Sequence, residues 1–133
     1  MAKPTVGYQV ENQFYQSALG TDGCPIGDYV FTNPRDCTKQ TSPADCFDFL
    51  CDVAHPTAGQ LRDVRVELKA SRKGTVLLTS TETELAKQST YGLNYLLVVY
   101  RHTAKSVVKN QFRPKVVSPD AFKAAVPQLR IKA

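Results

Sequence analysis

The stretch that decides the fold is "RDVRVELKAS", residues 62–71. Apolar and charged residues alternate in it, with the apolar positions at Val64, Val66 and Leu68 and the charged ones at Asp63, Arg65, Glu67 and Lys69. Alternation with a period of two predicts a β-strand with one face in the core. The other face then carries four charges side by side, among them a glutamate and a lysine two residues apart.

The composition predicts a single domain over residues 1–133, with the balance of a globular protein: 42% hydrophobic and 22% charged residues. The net charge of +5 favours a polyanionic partner such as nucleic acid without requiring one. No apolar run is long enough to span a bilayer, and the N-terminus lacks the apolar core of a signal peptide. We therefore expect a cytoplasmic protein with no membrane partner.

The four cysteines, Cys24, Cys37, Cys46 and Cys51, include no C-x-x-C pair, and the chain has only two histidines. This pattern argues against a structural zinc site. In a reducing compartment, Cys46 and Cys51 are expected to act as small buried hydrophobic residues.

The rest of the chain predicts an element order of α-β-β-β-β-α-β plus a C-terminal helix. The first helix is expected from about Tyr8 to Leu19, and the second, which a Thr79–Glu82 capping box opens, from Ser80 to near Gly92. Strands are predicted at 27–34, 46–53, 62–71, 75–80 and 93–102, and the last helix within 118–126. The fold class is then α/β (α+β), with one central mixed sheet.

Asp48 lies on the strand that precedes the Glu67 strand, and a short turn joins the two. If the strands are neighbours, Asp48, Glu67 and Lys69 form one patch. Two carboxylates and a backbone carbonyl such as that of Leu68 can hold Mg²⁺ or Mn²⁺. A neighbouring lysine can orient a metal-bound water or stabilise the charge that develops on a phosphorane. Hydrolysis of a phosphodiester needs this set of groups: a metal ion, a nucleophilic water and a fixed positive charge.

Two interpretations of these charges remain open: a solvated sheet face and a functional site. An ordinary solvated sheet face has the same alternation. In a sheet covered by helices on both faces, however, a charged cluster is costly unless it is paired or used. Glu11, on the first helix, could reach a strand end and add a carboxylate, or it could lie on a solvated helix face.

The ordered set comprises Glu11, Asp48, Glu67-Leu68-Lys69, a helix start with Leu78-Thr79, Glu82 and Ala86, and the strand "YLLVV" at 95–99. On these residues the chain resembles the PD-(D/E)xK nuclease superfamily, and within it the C-terminal domain of No Vein-type proteins. The resemblance covers about residues 7–101, and leaves 102–133 as a basic C-terminal extension with a short helix.

The resemblance implies a restriction-endonuclease-like domain, in which helices flank a mixed sheet and a divalent metal binds at one end. It assigns Asp48 and Glu67 as metal ligands, Lys69 as the catalytic lysine and Glu11 as an accessory ligand or orienting group. No proline directly precedes Asp48, whereas Pro43 lies near Asp45. Asp45 is therefore a rival for the first acidic role, and Asp48 is preferred because it is expected inside a strand.

Basic residues of the tail alternate with apolar ones, and two more lie in the turn after residue 71. We expect phosphate contacts from Arg72, Lys73, Lys105, Lys109, Arg113 and Lys115, although a solvated basic face has the same pattern. The function predicted first is a Mg²⁺- or Mn²⁺-dependent nuclease that acts on DNA. The alternatives are an inactive nucleic-acid-binding module of the same fold, or a protein-partner-binding domain. Because 133 residues leave little room for a specificity domain, a nuclease of this size would either read DNA shape or act as a homodimer.

Overall fold

The computed structural model describes residues 5–37, 48–109, 111–123 and 130–132. Its helices are α1 (Val6–Leu19), α2 (Ser80–Gln88), α3 (Ala104–Lys109) and α4 (Pro119–Lys123). Its strands are β1 (Cys24–Ile26), β2 (Tyr29–Asp36), β3 (Phe49–His55), β4 (Gly59–Ser71), β5 (Thr75–Leu77), β6 (Tyr95–Arg101), β7 (Arg113–Val116) and β8 (Arg130–Lys132).

Six strands form one sheet in the order β1-β2-β3-β4-β6-β7. β4 and β6 run parallel, and the other neighbouring pairs run antiparallel. The structure is therefore a mixed α/β domain with a mostly antiparallel sheet, which agrees with the predicted α+β class. The prediction of a single sheet was wrong in one respect, since β5 leaves the main sheet and pairs with β8.

The alternation in β4 is confirmed. Val64 and Val66 are fully buried, and they share a hydrophobic cluster with Val10 and Phe14 of α1. We call this side of the sheet the α1 face. Because consecutive strand residues point to opposite faces, Glu67 and Lys69 lie on the other side.

The opposite side of the sheet, which we call the α2 face, has its own hydrophobic cluster. Tyr95, Leu97 and Val99 of β6 pack there with Leu78 and with Ala86 of α2. Every β6 residue except the last is buried, as a strand covered on both faces requires. Helices thus cover both faces at the centre of the sheet.

The capping box predicted at the start of α2 is confirmed. The Glu82 N–H donates to Thr79 Oγ1 at 3.2 Å, and the Thr79 N–H donates to Glu82 Oε1 at 2.8 Å. The predicted end near Gly92 was wrong, because α2 ends at Gln88. Ser89 is extended, and a turn follows in which the Thr90 N–H donates to Asn94 Oδ1 at 2.7 Å.

The described residues after Arg101, which were expected to form an extension, contribute to the domain. β7 pairs with β6, and β8 pairs with β5. The side chains of Gln9 and Gln13 in α1 donate to the backbone carbonyls of Val107 and Phe112, each at 3.1 Å. The short strands β1, β7 and β8 were missed because three or four residues carry too little periodic signal. None of the helices in the described ranges has both the length and the apolar character needed to cross a bilayer.

Candidate functional site

Asp48 lies directly before β3, where this strand begins beside β4. Its N–H donates to the Val66 carbonyl at 3.1 Å, and its Oδ2 accepts from the Leu68 N–H at 2.8 Å. The Cys37 N–H donates to the Asp48 carbonyl at 2.7 Å. The sequence placed Asp48 inside the strand, but the strand starts one residue later, at Phe49. Backbone bonds on both sides nevertheless hold its carboxylate against β4.

The Leu68 carbonyl also belongs to this corner of the sheet. In a strand, the N–H and C=O groups of one residue point to the same side of the chain. Since the Leu68 N–H points to Asp48, its carbonyl oxygen points to the same side of β4. The predicted oxygen ligands of Asp48 and Leu68 are therefore neighbours.

Glu67 and Lys69 lie together with a third side chain that the sequence analysis did not assign to the site, Glu82. Lys69 Nζ is 3.5 Å from Glu67 Oε1, and 2.9 Å from each carboxylate oxygen of Glu82. Both glutamates are almost fully buried, whereas the lysine side chain is 23% exposed. The signal for Glu82 was present in the sequence, because the capping box and the helix-start motif both include it.

The acidic groups differ in protonation because their surroundings differ. Burial raises the pKa of Glu67 far above its usual value, and the hydrogen bond with Glu82 and the charge of Asp48 raise it further. Burial also acts on Glu82, but the hydrogen bonds from Glu67, Lys69 and the Thr79 N–H lower its pKa to about 2. The opposite directions of these two pKa shifts favour Glu67 as the member of the pair that holds a proton.

Asp48 and Lys69 complete this charge distribution. Burial raises the pKa of Asp48, and the Leu68 N–H opposes the rise. Burial lowers the pKa of Lys69, but the hydrogen bond to Glu82 and the interaction with Glu67 outweigh it, so that the net shift is upward. The ammonium group stays charged beside two glutamates.

Glu11 lies at the edge of this group. It is half-buried on α1, and burial followed by repulsion from Asp36 raises its pKa. Repulsion from Glu11 in turn contributes to the raised pKa of Asp48, so that the two carboxyl groups are within electrostatic range. Glu11 lies on α1, which packs on the opposite side of the sheet from Glu67 and Lys69, and its role as an accessory ligand stays a prediction.

Asp63, at the start of this charged series, lies apart from Glu67 and Lys69. A bulge in the β3–β4 pairing, between Cys51 and Val53, puts Asp63 at a positive φ of 54°. Arg35 binds Asp63 at 2.9 Å and Asp52 at 3.5 Å. The expectation of four charges side by side was therefore wrong for Asp63, whereas Arg65, Glu67 and Lys69 share the α2 face without a register shift. Asp45, the rival of Asp48, lies outside the described residues.

Tyr95 is a second neighbour of the site that the sequence analysis did not identify. It is fully buried, and its hydroxyl has no hydrogen-bond partner among the described residues. Burial and then the charges of Glu67 and Glu82 raise its pKa. A polar hydroxyl thus lies close to the two glutamates.

The donor set suits a hard divalent cation, since it consists of oxygen atoms only. In the described part of the chain, however, no three Asp, Glu, His or Cys side chains converge as a ready-made metal site. Glu67 and Glu82 instead interact with each other and with Lys69. The oxygen ligands predicted for a cation are those of Asp48, of deprotonated Glu67 and of the Leu68 carbonyl.

A cleft of about 740 Å³ lies beyond the carboxyl ends of β4 and β6, and we call it the basic cleft. Its exposed cations are Arg72, Arg101, Lys105, Lys109, Arg113 and Lys115. No aspartate or glutamate is among the described lining residues. Five of the six predicted phosphate-binding residues lie here. Lys73 lies in the adjacent turn outside the lining, and Arg101 was missed.

The sheet register relates the basic cleft to the acidic site. Lys69 is opposite Val99, which is opposite Lys115. Residues opposite each other share a face, so Lys69 and Lys115 both lie on the α2 face, two strands or about 10 Å apart. Arg101 and Arg113 are opposite each other in the next row of that face.

Comparison of the chain with known protein families, with characterised proteins and with solved structures found no match. Its function has to follow from the residues and the geometry described above.

Proposed function

We propose that the protein is a restriction-endonuclease-like nuclease that hydrolyses phosphodiester bonds of DNA with Mg²⁺ or Mn²⁺. One observation carries the proposal: Asp48, Glu67 and Lys69 meet on a sheet face that continues into the basic cleft. The site can supply carboxylate ligands and a fixed positive charge. The basic cleft can bind the substrate phosphates beside it.

The architecture supports the same proposal. A mixed sheet is covered by α1 on one face and by α2 on the other, and the acidic site lies where β3 begins beside β4. The resemblance to the PD-(D/E)xK superfamily implies helices around a mixed sheet and a metal at one end. The described elements are compatible with that arrangement.

In this proposal, each residue has a defined role. Asp48, Glu67 and the Leu68 carbonyl hold the divalent cation, which supplies an activated water and offsets negative charge. Lys69 orients that water or stabilises the charge that develops on the phosphate. Glu82 is a positioning residue, because it keeps the Lys69 ammonium charged and close to Glu67.

One observation favours a second candidate, a nucleic-acid-binding module without cleavage. Lys69 is already paired with Glu82, and Glu67 is protonated by its surroundings. A buried cluster of this kind can be satisfied without any metal. The basic cleft would then bind nucleic acid while the acidic site serves the fold.

Cleavage assays separate the two candidates. Wild type and the variants Asp48→Asn, Glu67→Gln and Lys69→Ala are incubated with supercoiled plasmid and with single-stranded DNA, in Mg²⁺, Mn²⁺ or EDTA. We expect metal-dependent cleavage by wild type. We also expect Lys69→Ala to cut at least about 100-fold more slowly while it binds DNA nearly as wild type does, because its charge acts on the transition state.

Glu84→Gln is the matched control, since Glu84 is 67% exposed on the same helix as Glu82. It should cut like wild type. Wild type that binds DNA but cuts it in neither metal supports the binding module. If wild type neither binds nor cuts DNA, the remaining hypothesis is a partner-binding domain, in which the sheet edge or the tail contacts another protein.

A further inference from the structure

We infer that the basic cleft binds single-stranded nucleic acid, with its cations on successive phosphates and one base on His102. The inference deepens the proposed function, because it names the form of nucleic acid that reaches the acidic site. The binding itself does not require cleavage.

The charge of the basic cleft is the first argument. Six exposed cations line it, out of 17 basic residues in the whole chain. Their mutual repulsion is unfavourable in the empty cleft, and a polyanion that binds several of them at once relieves it. Phosphates along one strand supply such a series of charges.

The shape of the basic cleft favours a single strand over a duplex. Its volume of about 740 Å³ is in the range of ligand-binding clefts, and it is open to one side. A duplex presents its phosphates on the outside of a stiff rod, whereas a flexible strand can enter a concave groove. Proteins that bind single strands commonly combine such a groove with aromatic side chains.

The Arg101 side chain packs against a turn on one wall of the basic cleft. Gly74, at a φ of +79°, lies in the turn between β4 and β5, and a Cβ added there would come within 3.3 Å of Arg101 Nε. The Gly74 N–H donates to Ser71 Oγ at 2.9 Å, which fixes the turn against the strand end. The guanidinium therefore rests on a glycine surface, and less side-chain freedom is lost when it binds a phosphate.

His102 supplies the aromatic group. Its ring lines the basic cleft and packs against Phe112, with the centroids 5.8 Å apart and the planes at 71°. Its buried Nδ1 has no hydrogen-bond partner among the described residues. A base that stacks on this ring gains the contact that non-sequence-specific single-strand binders use.

The register of the β-sheet places the basic cleft in line with the acidic site, so that bound nucleic acid points towards it. Lys115 shares a row and a sheet face with Lys69, about 10 Å away across β6. Arg101 and Arg113 lie on the same face one row further from Glu67. A single strand of nucleic acid bound to these residues would therefore run from the basic cleft towards Lys69.

The test measures binding without cleavage. Full-length Glu67→Gln in EDTA is titrated against a fluorescent single-stranded oligothymidine at several salt concentrations. Neutralising Lys105, Lys109 and Arg113 together to glutamine should reduce the slope of log affinity against log salt by about 2, at about 0.7 per phosphate contact. The control Arg62→Gln should not change it, since Arg62 is exposed on β4 about 30 Å from the basic cleft.

Separate variants test the role of His102. His102→Ala should weaken binding about five- to hundred-fold at an unchanged salt slope, as the loss of one stacked base predicts. His102→Phe should restore most of the affinity. Melting temperatures of all variants establish that they are folded.

Three outcomes overturn the inference: the triple variant binds like Arg62→Gln, an unlabelled duplex of equal length competes as well as the single strand, or the protein binds anionic lipid vesicles but no oligonucleotide. Other outcomes would count against the proposed nuclease function and not against this inference. Binding that depends on the basic cleft, without plasmid cleavage by wild type, keeps the inference and removes the nuclease. If the triple variant cleaves plasmid with an unchanged KM, the nuclease is kept and the inference about the basic cleft is removed.

Discussion

Lys69 Nζ lies 2.9 Å from both carboxylate oxygens of Glu82, so that a lysine on a central strand is bound to the first turn of a helix. The same carboxylate accepts the Thr79 N–H of the capping box. One glutamate therefore both starts α2 and positions the lysine of the candidate site. Glu82, the residue that marks the helix start in the sequence, is thus also a residue of the candidate site.

The first prediction concerns this shared role. Glu82→Gln should lower the free energy of unfolding by about 3 kcal/mol, because it removes the charge partner of a half-buried lysine and weakens the cap. Urea unfolding at pH 7 measures the change. Glu84→Gln, in the same helix and 67% exposed, should change the free energy by less than about 0.5 kcal/mol. Equal stability of the two variants would remove the structural role assigned to Glu82.

The second prediction is a pH dependence of stability. Since the pKa of Glu67 is raised, the folded protein keeps a proton that the unfolded chain loses above about pH 4.5. Its contribution to stability is full below that pH and is lost as the pH rises towards the folded-state pKa. The raised pKa of Asp48 acts in the same direction. The lowered pKa of Glu82 acts only below this range, where its stabilisation is lost as pH falls through about 2.

Urea unfolding between pH 5 and 9 tests this sign. The free energy of unfolding of wild type should fall as pH rises, by up to about 1.4 kcal/mol per pH unit for each proton retained. Glu67→Gln keeps a hydrogen-bond donor beside Glu82 but cannot titrate, so its slope should be shallower by about one proton. Parallel curves for wild type and variant would show that Glu67 is ionised in the folded protein.

The third prediction concerns the metal. Mg²⁺ or Mn²⁺ at millimolar concentration should raise the melting temperature, since a ligand that binds only the folded state stabilises it. Because Glu67 must first lose its proton, the shift should grow between pH 6 and pH 8. Glu67→Ala and Asp48→Asn should abolish it. A shift that persists in both variants would place the cation elsewhere in the chain.

The fourth prediction compares two buried tyrosines. The Tyr91 hydroxyl donates to the Val117 carbonyl at 2.6 Å and accepts from the Leu97 N–H at 3.1 Å, whereas the Tyr95 hydroxyl has no partner among the described residues. Tyr91→Phe should cost about 1–3 kcal/mol of stability, because it leaves buried backbone groups unpaired. Tyr95→Phe should be neutral or stabilising. A large loss for Tyr95→Phe would show that its hydroxyl binds the neighbouring carboxylates.

Much of the fold was readable from local patterns. The alternation of Val64, Val66 and Leu68 identified the central strand, and the Thr79–Glu82 pair identified the start of α2. These signals are strong because burial of one strand face and hydrogen bonding at a helix end act within a few residues of the chain. The short strands of the tail carried no such signal, since their pairing with β5 and β6 is between distant residues.

The sequence by itself determined which residues could serve the site, since strand parity places Glu67 and Lys69 on one face, opposite Val66 and Leu68. Only the tertiary structure decided what that face contacts. It brought Glu82 and Tyr95 to Glu67, separated Asp63 at a bulge, and gathered Arg101 with the cations of the tail. The physical reason is that parity follows from the strand itself, whereas burial, protonation and charge pairing depend on neighbours that only sheet register and helix packing supply.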